Sequence, residues 1–246
     1  MQSILLQQIN NKPILEQFQF LAEKFEGKIA FSTSFGQEDQ LITDLILRNN
    51  IPIKVFTLDT GRFFEETYDV WNKTIEKYGK PIQVYFPDRD EVEKMTSEKG
   101  PYSFYESIEN RKECCNIRKV HPLSIALKGI DLWITGLRAE QSQARTELEF
   151  FSFDESFNTT KFNPLKDWSL KKVVDYLHEH DVPYNSLHDK GFISIGCSPC
   201  TRAINKGDDI RAGRWWWEDK SKKECGLHDT SDTNVQTIEL KKTEFK

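Results

Sequence analysis

The chain's five cysteines divide by spacing into four and one. Cys114 and Cys115 are adjacent, Cys197 and Cys200 bracket a CSPC turn, and Cys225 stands apart in KKECGLH near the C-terminal end. A CxxC pair can present two thiolates to one metal from a tight turn. Pro199 stiffens that turn, and the vicinal pair would supply two more ligands from across the fold. On spacing alone a structural zinc ion, an iron-sulfur cluster and buried unligated thiols all stand open. Cys225 lies among Lys222, Lys223 and His228. Positive charge lowers a thiol pKa and raises the thiolate fraction, so Cys225 reads either as an activated nucleophile or as an incidental surface thiol.

A second set of groups suits an anion. STSFGQED, Ser32 to Asp39, joins a predicted strand to a predicted helix, where free backbone N–H groups and the positive helix end can cradle phosphate. Ser32, Ser34 and Gly36 are its candidate contacts, an ordinary polar turn being the alternative. The loop lacks the lysine of a nucleoside-triphosphate P-loop, which points to a smaller phosphate load. LDTGR brings Asp59 and Arg62 to the end of the next strand, and TGLRAEQSQAR adds Arg138 and Arg145. Arg118 and Lys119 follow Cys115 by three and four positions, so on a helix they would project near the metal site, and Arg211 and Arg214 share a face. Cations converging on one crevice favour a doubly charged anion such as sulfate or phosphate, and a solvated basic surface is the alternative.

These groups need a scaffold to bring them together. KIAFSTSF, IPIKVFTLDT, PIQVYF and DLWITGL read as short buried strands, separated by stretches of helical periodicity. Among those, Phe64, Tyr68, Trp71, Ile75 and Tyr78 form an apolar stripe. The alternation predicts an α/β fold: a parallel sheet with helices on both faces and ligands beyond the carboxyl ends of the strands. LEFFSFDESFNTTKFNPL reads as a hairpin or an irregular excursion, and Ser169 is placed to cap the helix LKKVVDYLHEH. Residues 1–213 are expected to form the nucleotide-binding and cysteine-bearing domain. Residues 214–246 are expected to be a mobile tail, anchored by Trp215–Trp217 and carrying Cys225.

A net charge of -5 argues against a broad nucleic-acid surface while allowing a local basic pocket. No apolar run is long enough to span a bilayer, and the start has no basic region followed by an apolar core. The expectation is therefore a cytoplasmic protein in a reducing compartment, where cysteines serve metals or catalysis. A homo-oligomer is left open.

Taken together, CC at Cys114-Cys115, CSPC at Cys197-Cys200, RAGRWWWE at Arg211–Glu218 and ECGLH at Glu224–His228 closely resemble the assimilatory sulfonucleotide reductases. The resemblance runs from FSTSFGQED through ECGLH. It implies an adenine nucleotide alpha-hydrolase-like fold, related to ATP pyrophosphatases, and reduction of adenosine 5′-phosphosulfate (APS) to sulfite and AMP. It further implies one 4Fe-4S cluster on Cys114, Cys115, Cys197 and Cys200, and Cys225 as a nucleophile that forms a cysteine S-sulfonate resolved by thioredoxin. By the same resemblance Lys119, Arg211, Arg214 and His228 would neighbour the phosphosulfate, while Ser32, Ser34, Gly36, Asp59, Arg62 and Arg138 would hold the adenylate. The 3′-phosphorylated nucleotide (PAPS) is the alternative substrate, and a zinc-stabilised nucleotide-binding redox sensor is the alternative of another class. STSFGQED departs from the SGGxDS loop of the pyrophosphatases, so ATP cleavage is not expected.

Overall fold

The computed structural model describes residues 2–142 and 145–218. Six strands make one sheet: β1 Ile29–Thr33, β2 Lys54–Leu58, β3 Gln83–Tyr85, β4 Leu132–Ile134, β5 Phe151–Asp154 and β6 Thr159–Phe162. Their order is β3-β2-β1-β4-β6-β5. Every neighbouring pair is parallel except β5 with β6. The excursion after β4 is thus a hairpin, in which the Asp154 carboxylate accepts from the Phe157 N–H at 3.1 Å and Asn158 turns the chain at φ 49°.

Successive side chains in a strand face opposite ways, and both faces here are buried. Phe31, Val55 and Ile134 join one core, with Phe18 and Leu21 of α2 (Ile14–Lys24), Leu41 and Leu45 of α3 (Gln37–Arg48), and Val173 and Leu177 of α8 (Leu170–Glu179). Leu5 and Ile9 of α1 (Gln2–Ile9) pack there too. Ala30, Phe56 and Trp133 face the other way, onto Leu123 and Ala126 of α7 (His121–Ala126). Ser169 caps α8 as expected, accepting from the Lys172 N–H at 3.2 Å. Among the described residues no helix is long and apolar enough to cross a membrane.

The apolar stripe expected along α4 (Glu65–Tyr78) is met in part, with Trp71 and Tyr78 half-buried against the main core. The buried residues of this helix are Thr67, Val70 and Thr74, while Tyr68 is 40% and Ile75 37% exposed. Polar pairing explains the difference: Gln40 donates to the Thr74 hydroxyl at 2.9 Å, and Asn185 donates to that of Thr67 at 3.1 Å. Trp71 stacks on the buried Phe35 at 5.5 Å, and the Tyr68 hydroxyl donates to Asp59.

The cysteine-bearing helix region is α5 (Arg89–Lys99), then α6 (Ile108–Cys115), then a single π-helical turn over Asn116–Val120 that runs into α7. Ser107 caps α6 by accepting from the Asn110 N–H at 3.1 Å. β1 has β2 on one side and β4 on the other, so chain direction across the sheet reverses there. In an open α/β sheet that reversal leaves a crevice beyond the carboxyl ends of the two strands.

Candidate functional site: a basic pocket beside a cysteine hollow

A cavity of about 240 Å³ opens at that crevice, walled by Ser32, Ser34 and Gly36 after β1 and by Gly136 and Arg138 after β4. The β1 loop is tightly held. Ser34 donates both its N–H and its hydroxyl to Asp39, at 2.6 and 2.7 Å, and Phe35 adopts φ 60° with its ring buried. Burial raises the Asp39 carboxyl to about 6 and the Glu38 charge adds to this, while the Ser34 bonds oppose it. Gly136 lets the two loops approach closely, because a Cβ there would strike the Asp39 carboxylate and force it to move. Arg138 is 2% exposed and already paired, with Glu38 at 2.8 Å and Glu140 at 3.0 Å. It shapes the wall and carries little uncompensated charge.

Lys119, Arg211 and Arg214 also line the cavity. Arg214 donates to the Ile195 carbonyl at 3.3 Å and packs against Gly196, where a Cβ would lie 2.5 Å from the guanidinium carbon. His188 also lines the cavity. Its Nε2 is buried without a hydrogen-bond partner among the described residues, and burial lowers its pKa below the usual imidazole value.

Beside this pocket Cys114, Cys115, Cys197 and Cys200 line one small hollow, together with Arg62, Phe104, Arg111, Arg118 and Lys119. None of the four is in a disulfide. The CSPC turn is tied to the loop after β2, since the Ser198 N–H donates to the Arg62 carbonyl at 2.8 Å and the Thr60 hydroxyl lies 3.3 Å from the Cys197 sulfur. Burial raises the Cys114 thiol, against the pull of Arg62 and Arg118, and pushes Cys200 up to about 12. Nη1 of Arg62 and Nε of Arg118 are buried without hydrogen-bond partners among the described residues. Two spare donors therefore border a sulfur-lined space. Lys119 borders both the hollow and the pocket.

Residues 28–203 match the family model of the phosphoadenosine phosphosulfate reductase domain. The chain belongs to this family. An adenosine 5′-phosphosulfate reductase of Burkholderia cepacia is 48% identical over 208 residues, 85% of this chain and 83% of that one. The crystal structure of a phosphoadenylyl-sulfate reductase from Candida auris superposes with a TM-score of 0.67 at 29% identity, covering 81% of this chain and 94% of that chain. FMN adenylyltransferase of Candida glabrata shares the fold at a TM-score of 0.53 and 16% identity, covering 83% of this chain and 71% of that one.

For this member of the phosphosulfate reductase domain family, the structure brings most of the expected residues to two adjoining places. Ser32, Ser34, Gly36, Lys119, Arg138, Arg211 and Arg214 line the pocket, and the four paired cysteines line the hollow. Asp59 and Arg62 are placed elsewhere. Asp59 is buried, accepting from the Gly61 N–H at 2.8 Å and from Tyr68. Arg62 faces the cysteines, stacked on Phe104 at 4.7 Å and donating to the Pro101 carbonyl at 2.7 Å. Asp59 is thus held by its own hydrogen bonds, and Arg62 follows the left-handed turn at Gly61, φ 68°. Cys225 and His228, with the rest of 219–246, lie outside the described residues. Within 214–218, Trp215 is buried and Trp216 is largely exposed. Sequence reasoning missed His188, Asp39, Gly136 and Gly196 as pocket residues. Their local patterns carry no signal, because each matters only through what the fold sets opposite it.

Proposed function

We propose that this protein reduces adenosine 5′-phosphosulfate to sulfite and AMP. The observation that carries this reading is kinship with a reductase of that name at 48% identity across most of both chains. The geometry agrees: a pocket with one wall of cations adjoins the cysteine hollow, and Lys119 borders both.

Cys114, Cys115, Cys197 and Cys200 would hold a 4Fe-4S cluster, since all four border one hollow. The buried Arg62 and Arg118 nitrogens without hydrogen-bond partners among the described residues would donate to its sulfides. When bound, the cluster supplies rigidity and a local field at Lys119, and the thiol chemistry draws no electrons from it.

In this reading the adenylate lies along Ser32–Gly36, and the phosphosulfate turns toward Lys119, Arg211, Arg214 and His228. The Cys225 thiolate attacks the sulfate sulfur. An S–S bond forms as the S–O bond to the phosphate breaks, and AMP leaves with the electron pair. A thioredoxin thiolate then attacks the Cys225 sulfur, and sulfite departs with the bonding pair. The second thioredoxin thiol resolves the mixed disulfide and restores the Cys225 thiolate, so the two electrons come from the dithiol, which ends as a disulfide.

The test is anaerobic incubation with the sulfonucleotide and no reductant, followed by mass spectrometry. Stoichiometric sulfonate on Cys225 is expected, and an adduct elsewhere or none removes the mechanism. The Candida auris relative is named for the 3′-phosphorylated nucleotide. Running both nucleotides therefore reads substrate choice in the same experiment. Iron with acid-labile sulfide is expected on metal analysis, whereas zinc would support the redox-sensor reading.

A further inference from the structure

Arg111 and Glu218 form a bidentate ion pair, Nε to Oε1 and Nη2 to Oε2 at 2.9 Å each, with side chains 1% and 3% exposed. Removing two charges so fully from water costs several kcal/mol per ion before their attraction offsets it, and an apolar pair often fills such a space with equal or greater stability. Stability is therefore a weak account of why this pair is here. Its position is more telling.

Arg111 stands on α6 one turn before Cys114 and Cys115. Glu218 ends the segment that begins at Arg211 and Arg214 on the pocket wall. Trp215 packs beside the pair. The Arg111 and Arg214 guanidiniums are 4.8 Å from its ring and that of Arg211 is 5.8 Å away. The Trp215 N–H donates to the Cys200 carbonyl at 3.1 Å, and Arg214 bridges to Thr201. Trp215 also has φ 41°, a left-handed conformation that strains a bulky residue and persists only where its surroundings enforce it. Cys225 lies seven steps along the chain from Glu218, with six residues between them. At about 3.4 Å per extended residue, Cys225 cannot stray more than about 24 Å from that point.

We propose that the Arg111–Glu218 pair is a positioning clamp that fixes, against the cysteine-bearing helix, the point from which the chain runs on to Cys225. It thereby keeps the thiol tethered close to the pocket lined by Arg211 and Arg214. The inference rests on Cys225 being the nucleophile. Glu218 itself is assigned no contact with substrate or with the reacting sulfur. Effective concentration falls roughly as the −3/2 power of tether length. Losing the clamp, and with it the packing of Trp217 on Phe104 and Tyr105, moves the last fixed point back to the Arg214 bridge, which lengthens the tether from 7 to 11 steps along the chain. Tether length alone then slows capture of the substrate sulfur by about twofold.

The test compares the full-length holoprotein with Glu218→Gln in three measurements: single-turnover sulfonate formation on Cys225, equilibrium affinity for APS, and hydrogen exchange at the Trp215 and Glu218 amides. Expected are protected amides in the unaltered protein and faster exchange in the variant. Adduct formation should slow about twofold, with affinity and iron content retained. An unchanged adduct rate despite faster exchange overturns the clamp, and so does slowing matched by equal loss of affinity or iron. Should Glu218→Gln fail to fold, Glu218→Asp, which keeps the charge and shortens the reach, carries the same comparison. If the unaltered protein forms no adduct on Cys225, the nucleophile assignment has failed. The clamp is then judged by exchange alone and is overturned if those amides exchange at loop rates in the unaltered protein.

Discussion

Gly196 offers a way to disable one cation without mutating it. A Cβ built there would lie 2.5 Å from Cζ and 2.8 Å from Nη1 of Arg214, far inside contact distance, and Gly196 has no left-handed φ that would strain an alanine. The added methyl therefore acts by pushing the guanidinium out of the pocket wall. A charge-assisted hydrogen bond is worth about 1.5–3 kcal/mol. At about 1.4 kcal/mol per tenfold, Gly196→Ala should weaken APS binding by roughly 10-fold to 150-fold. The assay is equilibrium binding to anaerobic protein, with iron and sulfide content measured alongside because Cys197 is adjacent. A double-mutant cycle supplies the refutation. If the methyl works through Arg214, Gly196→Ala should add almost nothing in an Arg214→Ala background. A full additional loss there, or an unchanged affinity in the single variant, would show that Arg214 does not meet the substrate from this position.

Asp39 should give the pocket a pH dependence. Its folded pKa is raised to about 6, so as pH falls from 8 to 5 the carboxylate is neutralised and one negative charge leaves an anion site. APS affinity should therefore rise over that window, and Asp39→Asn should flatten the rise. His188, whose pKa is lowered, gains charge only below its usual range and acts in the same direction, so His188→Gln serves as the control. Cys225→Ser should abolish sulfite release and retain iron, whereas Cys114→Ser should lose iron and sulfide together, both read by metal analysis. Ser169→Ala removes the α8 cap and should cost about 1 kcal/mol, lowering Tm by about 2–4 °C in thermal unfolding without changing activity.

Local pattern made the scaffold legible. Strand alternation at β1, β2 and β4, the Ser169 cap and the division of the cysteines all depend on residues near one another in sequence, and local rules govern them. Even the site loops at Ser32–Gly36 and Arg138 could be read, because in this class of sheet strand ends and ligand sites coincide. The α4 stripe shows where such reading stops: periodicity finds a helix, but which face it buries depends on Gln40 and Asn185, which arrive from distant elements.

Long-range geometry decided the rest. Arg62 and Lys119 are both basic residues close to a motif, and nothing local separates them. The turn at Gly61 commits Arg62 to the cysteines, and the π-turn after Cys115 sets Lys119 on the border of both cavities. The chain's order of residues determined which side chains exist to do sulfur chemistry and that a twisted parallel sheet would carry them. Only folding could decide which charges meet a neighbour of opposite sign, as Arg138 meets Glu38. Electrostatic interaction depends on distance through space, and distance along the chain does not fix it.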